Sequence, residues 1–340
     1  MRKAIRIISY VIMISVVILA LAVFMPRTYD VPSPGKREST RYWNLPAGSR
    51  IAYTLIPAVG KKKPYPVIFL QGGPGGPIYD KNISTFAPLA ADGYDVYLYD
   101  QIGCGFSDRL DHVSDYTADR HKRDLEEIVK KIGAEKVIFI AQSWGAILST
   151  LYIADNPDKV AKVIFTGPGP IQPKQAQTVL SKAPDSLHLR PPVFNNRDAN
   201  GKTQNIRTRA VAQCATLFGI KLASDEEMDA FQTYLNGQLS KAIVCDTSKA
   251  PQAAAGGGFY AQVMTVYSFH ELTDPRPKLK GLPIPVMIMK GQCDNQKWDD
   301  TQEYLGLFPD HQLVIIPGAG HSISVEQPEL YLRTIRQFLN

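Results

Sequence analysis

Between residues 137 and 154 the chain passes from a buried strand into a helix with no room for a loop. The apolar run Val137-Ile138-Phe139-Ile140-Ala141 stops at Gln142-Ser143, and a helix-forming stretch opens at Ala146. A serine in so sharp a turn is forced into a strained backbone, with its hydroxyl held out at the sheet edge. Strand and helix cross closely there, so the flanking residues must be small. Gly145 supplies one, and Ala141 stands where such turns usually carry glycine. The pattern is that of a nucleophile elbow, and it commits the chain to a sheet whose strands feed directly into helices.

The surrounding sequence has the matching rhythm. Short apolar runs at 50–57, 65–70, 94–99, 136–140 and 160–165 read as strands, and 117–132 carries a helical pattern with Leu125, Ile128 and Val129 on one side, ended by Gly133. The alternation lapses between 168 and 275. It resumes with a strand at 285–289, a helix near 299–307, a strand at 312–316 and a last helix over 324–339. Strands that are continuous apolar runs belong to a parallel sheet covered on two faces. The expected fold is therefore α/β, a mostly parallel sheet with helices on both faces, in which 46–167 and 276–340 form the core and 168–275 an inserted, largely helical cap.

The N-terminus bears on compartment. Residues 7–25 are uncharged and mostly apolar, follow Arg2, Lys3 and Arg6, and are about long enough to cross a bilayer as a helix. The basic flank places the N-terminus in the cytoplasm and the remainder outside. A cleaved signal peptide is the alternative, with Ala20-Leu21-Ala22 as its cleavage site, but the apolar run continues past it. The expectation is an anchor over 1–25 and a polar tether over 26–45, with the catalytic domain extracytoplasmic. The net charge of +6 includes those three basic residues; the +3 that remains is too little to argue for nucleic acid. Export permits disulfides. Of the four cysteines, Cys214 and Cys245 both fall in the cap and are the expected pair, while Cys104 and Cys293 read as free. No Cys/His spacing suggests a metal.

A serine hydroxyl becomes a nucleophile only when a base takes its proton and a third group orients that base. Both are present at strand ends on the side of Ser143. Asp294 follows the strand at 285–289, ahead of its rivals Asp299 and Asp300, which read as helix N-terminal charges. His321 follows the last strand in Pro317-Gly318-Ala319-Gly320-His321, a placement that His112, His121, His188, His270 and His311 lack. The backbone N–H of Trp144 and that of Gly73, in the Gly-rich turn after the strand at 65–70, are the expected oxyanion donors. That turn lacks the spacing of a phosphate loop, and its prolines remove donors.

Gln71-Gly72-Gly73-Pro74-Gly75-Gly76, Asp100-Gln101-Ile102-Gly103-Cys104-Gly105-Phe106-Ser107 and Gln142-Ser143-Trp144-Gly145 together resemble the proline iminopeptidase family of α/β-hydrolases, whose members carry HGGPGG, DQRGxGxS and GQSWGG. The likeness covers about 50–170 and 280 to the end. It implies an α/β-hydrolase fold, no metal or organic cofactor, and an aminopeptidase that removes an N-terminal residue, often proline, from a short peptide under a helical cap. Gln71 replaces the family's histidine, Ile102 its arginine, and Ala141 and Ala146 its flanking glycines. The family holds the substrate amine with cap glutamates. Here the cap has only Glu226, Glu227 and Glu271. The first two read as an exposed, capped helical turn, which leaves Glu271 as the candidate to face the substrate. An esterase or amidase acting on small apolar substrates, and a non-catalytic binding protein on the same fold, are the competing readings.

Overall fold

The structure is a computed structural model that describes residues 2–33, 35–172, 182–194 and 196–340. Eight strands form one sheet: β1 (Arg41–Asn44), β2 (Arg50–Ile56), β3 (Val67–Leu70), β4 (Val96–Tyr99), β5 (Val137–Gln142), β6 (Val160–Thr166), β7 (Val286–Gly291) and β8 (His311–Ile316). Their spatial order is β1-β2-β4-β3-β5-β6-β7-β8. Only β2 runs against its neighbours; every pair from β4 to β8 is parallel.

The double covering follows from the pleat. In β5, Val137, Phe139 and Ala141 pack into one buried cluster while Ile138 and Ile140 pack into another; in β7, Val286 and Ile288 part from Met287 and Met289 in the same way. Side chains alternate across a strand, so a run apolar at every position must be covered on both faces. Helix Ala118–Ile132 covers one of them; Thr117 Oγ1 caps its first turn by accepting from the Arg120 N–H, and Gly133 ends it in the left-handed region at φ 71°.

Between β6 and β7 the strands give way to helices, among them Asn196–Thr203, Ile206–Phe218, Asp225–Leu239 and Phe259–Tyr267. The cap is fastened to the core by Arg109, on the loop after β4. Its Nε and Nη2 donate to Asp229 Oδ2 at 3.0 and 2.8 Å, and its Nη1 donates to the carbonyls of Gly105 and Ser107. Burial dominates at Asp229 and pushes its pKa up to about 6, against the opposing pull of Arg109.

Four expectations are corrected. The segment 26–45 is not wholly a tether: β1 extends the sheet, and Arg37 Nη2 donates to the buried Asp100 Oδ2 at 2.6 Å. A four-residue strand in which only Trp43 is half-buried leaves too little apolar pattern to read. Glu227 is not water-exposed, because its carboxylate is clasped by Arg207 Nε and Nη2 at 2.6 Å each. The last helix is broken into Ile323–Glu326 and Pro328–Leu339, since Pro328 cannot donate into the preceding turn. Cys245 pairs with Cys293, not Cys214, across a Cα–Cα distance of 5.3 Å; Cys104 and Cys214 are free.

At the N-terminus, helix Arg2–Phe24 stands apart from the core with its apolar side chains exposed. Its stretch 3–24 is long and apolar enough to cross a membrane. Where it ends, Arg207 Nη1 donates to the Val23 carbonyl at 2.6 Å.

Candidate active site

The C-terminal ends of β5, β7 and β8 converge, and Ser143, Asp294 and His321 follow those three ends. Ser143 has φ 53° and ψ −116°, one of two non-glycine residues with positive φ among those described. Its N–H still donates to the Thr166 carbonyl of β6 at 3.0 Å, so β5 ends on a sheet bond and helix Trp144–Asp155 starts at once. The close crossing explains Gly145, where a Cβ would collide with the Leu70 carbonyl oxygen. It also explains Gly72, where a Cβ would lie 3.2 Å from that of Ser143.

Asp294 and His321 meet directly: Nδ1 of the imidazole is 2.9 Å from Asp294 Oδ1. Both residues are buried. The same Oδ1 accepts from the Gln296 N–H at 2.9 Å, and Lys290 Nζ stands 3.6 Å from Oδ2 while donating to the Gln296 carbonyl. Burial is the largest influence on Asp294 and acts to raise its pKa. The charge and hydrogen bond of His321, then Lys290 and the Gln296 amide, outweigh it and hold the carboxyl below its ordinary value of 3.8. An ionised carboxylate against Nδ1 makes that nitrogen the donor and leaves Nε2 free to accept a proton.

Gly167 joins these parts. It follows Thr166, whose carbonyl holds the Ser143 amide, and it turns at φ 52°. A Cβ there would fall 2.8 Å from His321 Nδ1 and 3.1 Å from Asp294 Oδ2. Gly167 therefore packs against the imidazole, one residue after the carbonyl that holds the elbow's amide.

The two turns proposed to carry oxyanion donors are tied by Gln101, a residue quoted within a motif but given no role by the sequence reading. Its Nε2 donates to the carbonyls of Gln71 and Gly72, and its Oε1 accepts from the Gly75 N–H and from Trp144 Nε1 at 3.1 Å. Trp144 is locked further by stacking on Phe269 at 5.3 Å. As the first residue of its helix, Trp144 has a backbone N–H with no partner in the helical ladder. Gly73 turns at φ 126°, where a Cβ would meet the Gly76 nitrogen at 2.6 Å.

Glu271 does not join this group: its side chain is 67% exposed and lies 3.6 Å from His270. Asp299 and Asp300 occupy the first turn of helix Trp298–Leu307, as helix-end charges. Among the described residues no three His, Cys, Asp or Glu side chains are grouped to hold a metal.

A strained serine where a strand enters a helix, a His–Asp pair at neighbouring strand ends and this sheet order define an α/β-hydrolase. The chain belongs to that family: residues 65–328 match the family model described as the alpha/beta hydrolase fold. It is similar to curated proline iminopeptidases. That of Clostridioides difficile is 33% identical over 294 residues, covering 83% of this chain and 90% of the relative, and that of Heyndrickxia coagulans is 27% identical, covering 81% and 90%. Solved structures agree on the fold. A thermophilic esterase from Thermogutta terrifontis superposes with a TM-score of 0.61 at 18% identity, over 88% of this chain and 97% of that one. The proline iminopeptidase of Mycobacterium smegmatis does so with 0.57 at 20% identity, over 88% and 98%.

Proposed function

We propose that the chain is a serine hydrolase that cleaves an amide bond through an acyl-enzyme, as an aminopeptidase of the proline iminopeptidase kind. The observation that carries this is the placement of the strained Ser143 and the hydrogen-bonded His321–Asp294 pair about Gly167. In this reading Ser143 Oγ attacks the carbonyl carbon and His321 Nε2 takes its proton. The imidazolium so formed is stabilised by Asp294 and returns the proton to the leaving amine. The N–H groups of Trp144 and Gly73 hold the oxyanion, with one such donor worth about 2.7–4 kcal/mol in a well-studied protease. Water, activated by the same histidine, then releases the acyl group. The positive end of helix Trp144–Asp155 favours the negative charge that develops there.

A second reading, an esterase or amidase on small apolar substrates, is favoured by the state of four cap carboxylates. Glu227 is taken up by Arg207, Asp229 by Arg109 and Asp225 by Lys221, and Glu271 faces solvent. Turnover of a prolyl-arylamide, its N-acetylated form and a p-nitrophenyl ester separates the readings. An aminopeptidase cleaves the first and spares the second; an esterase or amidase prefers the ester and is indifferent to the blocked amine.

The helix Arg2–Phe24 and the Cys245–Cys293 disulfide support an anchored, extracytoplasmic enzyme, since disulfides persist in oxidising compartments. Retention of residues 2–24 on the membrane-extracted protein, read by N-terminal sequencing, tests the anchor against a cleaved signal.

A further inference from the structure

Glu326 ends the short helix after His321, and its residue is only 6% exposed. Its carboxylate accepts from three backbone N–H groups: Gly320 at 2.6 Å, Cys245 at 2.9 Å and Asp246 at 2.9 Å. Gly320 immediately precedes His321. Cys245 and Asp246 belong to the cap. On the other side of His321, the Ser322 N–H donates to the Ile243 carbonyl at 2.8 Å. The imidazole is thus carried on a loop tied to one cap segment, 243–246, through Glu326 before it and directly after it. The fit is close, for a Cβ on Gly320 would lie 2.7 Å from the Ile243 oxygen and from Val244 Cα. The same segment reaches the acid: Cys245 is disulfide-bonded to Cys293, next to Asp294, and the Cys293 N–H donates to the Ala319 carbonyl.

We infer that Glu326 is a positioning residue, whose carboxylate clamps the His321 loop to cap segment 243–246 and so sets the imidazole against Ser143. The inference rests on the proposed roles of Ser143 and His321. A carboxylate suits the task because it can accept all three N–H groups, and charge-assisted bonds of this kind are short and strong. A glutamine of the same shape offers one acceptor oxygen and turns an NH2 group toward N–H donors. Glu326→Gln therefore loosens the clamp with little change in volume.

The test uses the full chain in detergent, with active sites counted by fluorophosphonate labelling carried to its endpoint. The expected result for Glu326→Gln is a kcat per titrated site about ten- to hundredfold below wild type, with KM changed by less than about threefold, the signature of a base displaced by a fraction of an ångström. Glu326→Asp, which keeps the charge and shortens the reach, restores part of that loss. A wild-type kcat per titrated site in Glu326→Gln, even with a lowered melting temperature, overturns the inference and leaves Glu326 a purely structural residue. If Glu326→Gln yields no titratable sites, Glu326→Asp decides on the same terms: an intermediate kcat supports the clamp and a wild-type kcat overturns it. His321→Ala is the control that separates the two levels, because retained turnover there defeats the proposed mechanism itself, whereas its loss beside a fully active Glu326→Gln defeats only the clamp.

Discussion

His321 Nδ1 lies 2.9 Å from Asp294 Oδ1, although 27 residues and the whole of β8 separate the two in sequence. The contact exists because β7 and β8 are parallel neighbours that end together, so the loops after them meet at one rim of the sheet. A carboxylate held ionised there fixes the tautomer of the ring, and the ring's second nitrogen is left for chemistry.

That electrostatic setting has a signature in pH. The Asp294 carboxyl is held below 3.8, so it protonates only below its ordinary range. By linkage it stabilises the fold at pH above its unfolded value, and this contribution is lost as pH falls through the lower folded value. Above about pH 4.5 Asp294 therefore adds no proton of its own to the acid limb of log(kcat/KM), whose slope is expected not to exceed about one. A steeper limb there would mean that Asp294 takes up a proton in that range.

Gly167→Ala tests the packing at the tip of β6. The added methyl falls 2.8 Å from His321 Nδ1, and the backbone at φ 52° is one that alanine resists. The left-handed conformation costs about 1–2 kcal/mol. Displacement of the ring lowers kcat by about a hundredfold. Steady-state kinetics and urea denaturation of the purified variant read the two effects separately.

Gln101→Leu removes the side chain that ties the Gly-rich turn to Trp144. It strands the carbonyls of Gln71 and Gly72, the backbone N–H of Gly75 and the indole N–H of Trp144, each costing about 1–3 kcal/mol if left buried and unpaired. Lower stability is expected together with a reduced kcat at nearly constant KM, because the loop that carries Gly73 loses its register. An unchanged kcat would place the oxyanion donors elsewhere.

Reduction of Cys245–Cys293 opens a cross-link spanning 48 residues. In the chain-entropy picture a loop of that length contributes about 4 kcal/mol. Urea titration with and without a dithiol measures the difference, and Cys293→Ser reproduces the reduced state. Equal midpoints would show that the bond does not constrain the unfolded chain.

The elbow, the core strand segments and the candidates Asp294 and His321 were legible because each signal is local: an apolar run, a turn with small residues, a titratable side chain straight after a strand. What escaped depends on contacts between segments far apart. Arg37 looks like one more charge in a polar segment until β1 brings it to Asp100. Glu227 has the sequence of an exposed helix start, and only the folded cap brings it Arg207, 20 residues earlier on helix Ile206–Phe218. Cys293 finds Cys245 because cap segment 243–246 lies against the loop after β7, a path that no spacing encodes. Glu326 bears no periodic signal at all, since every partner it has is a backbone N–H.

The most direct test of the account is to map the adduct left by a fluorophosphonate on the folded full-length protein by mass spectrometry, in wild type and in His321→Ala. The account predicts a single modified peptide with the adduct on Ser143, formed at least a hundredfold more slowly without the imidazole. An adduct on another residue, or labelling of Ser143 at the wild-type rate in His321→Ala, would contradict it.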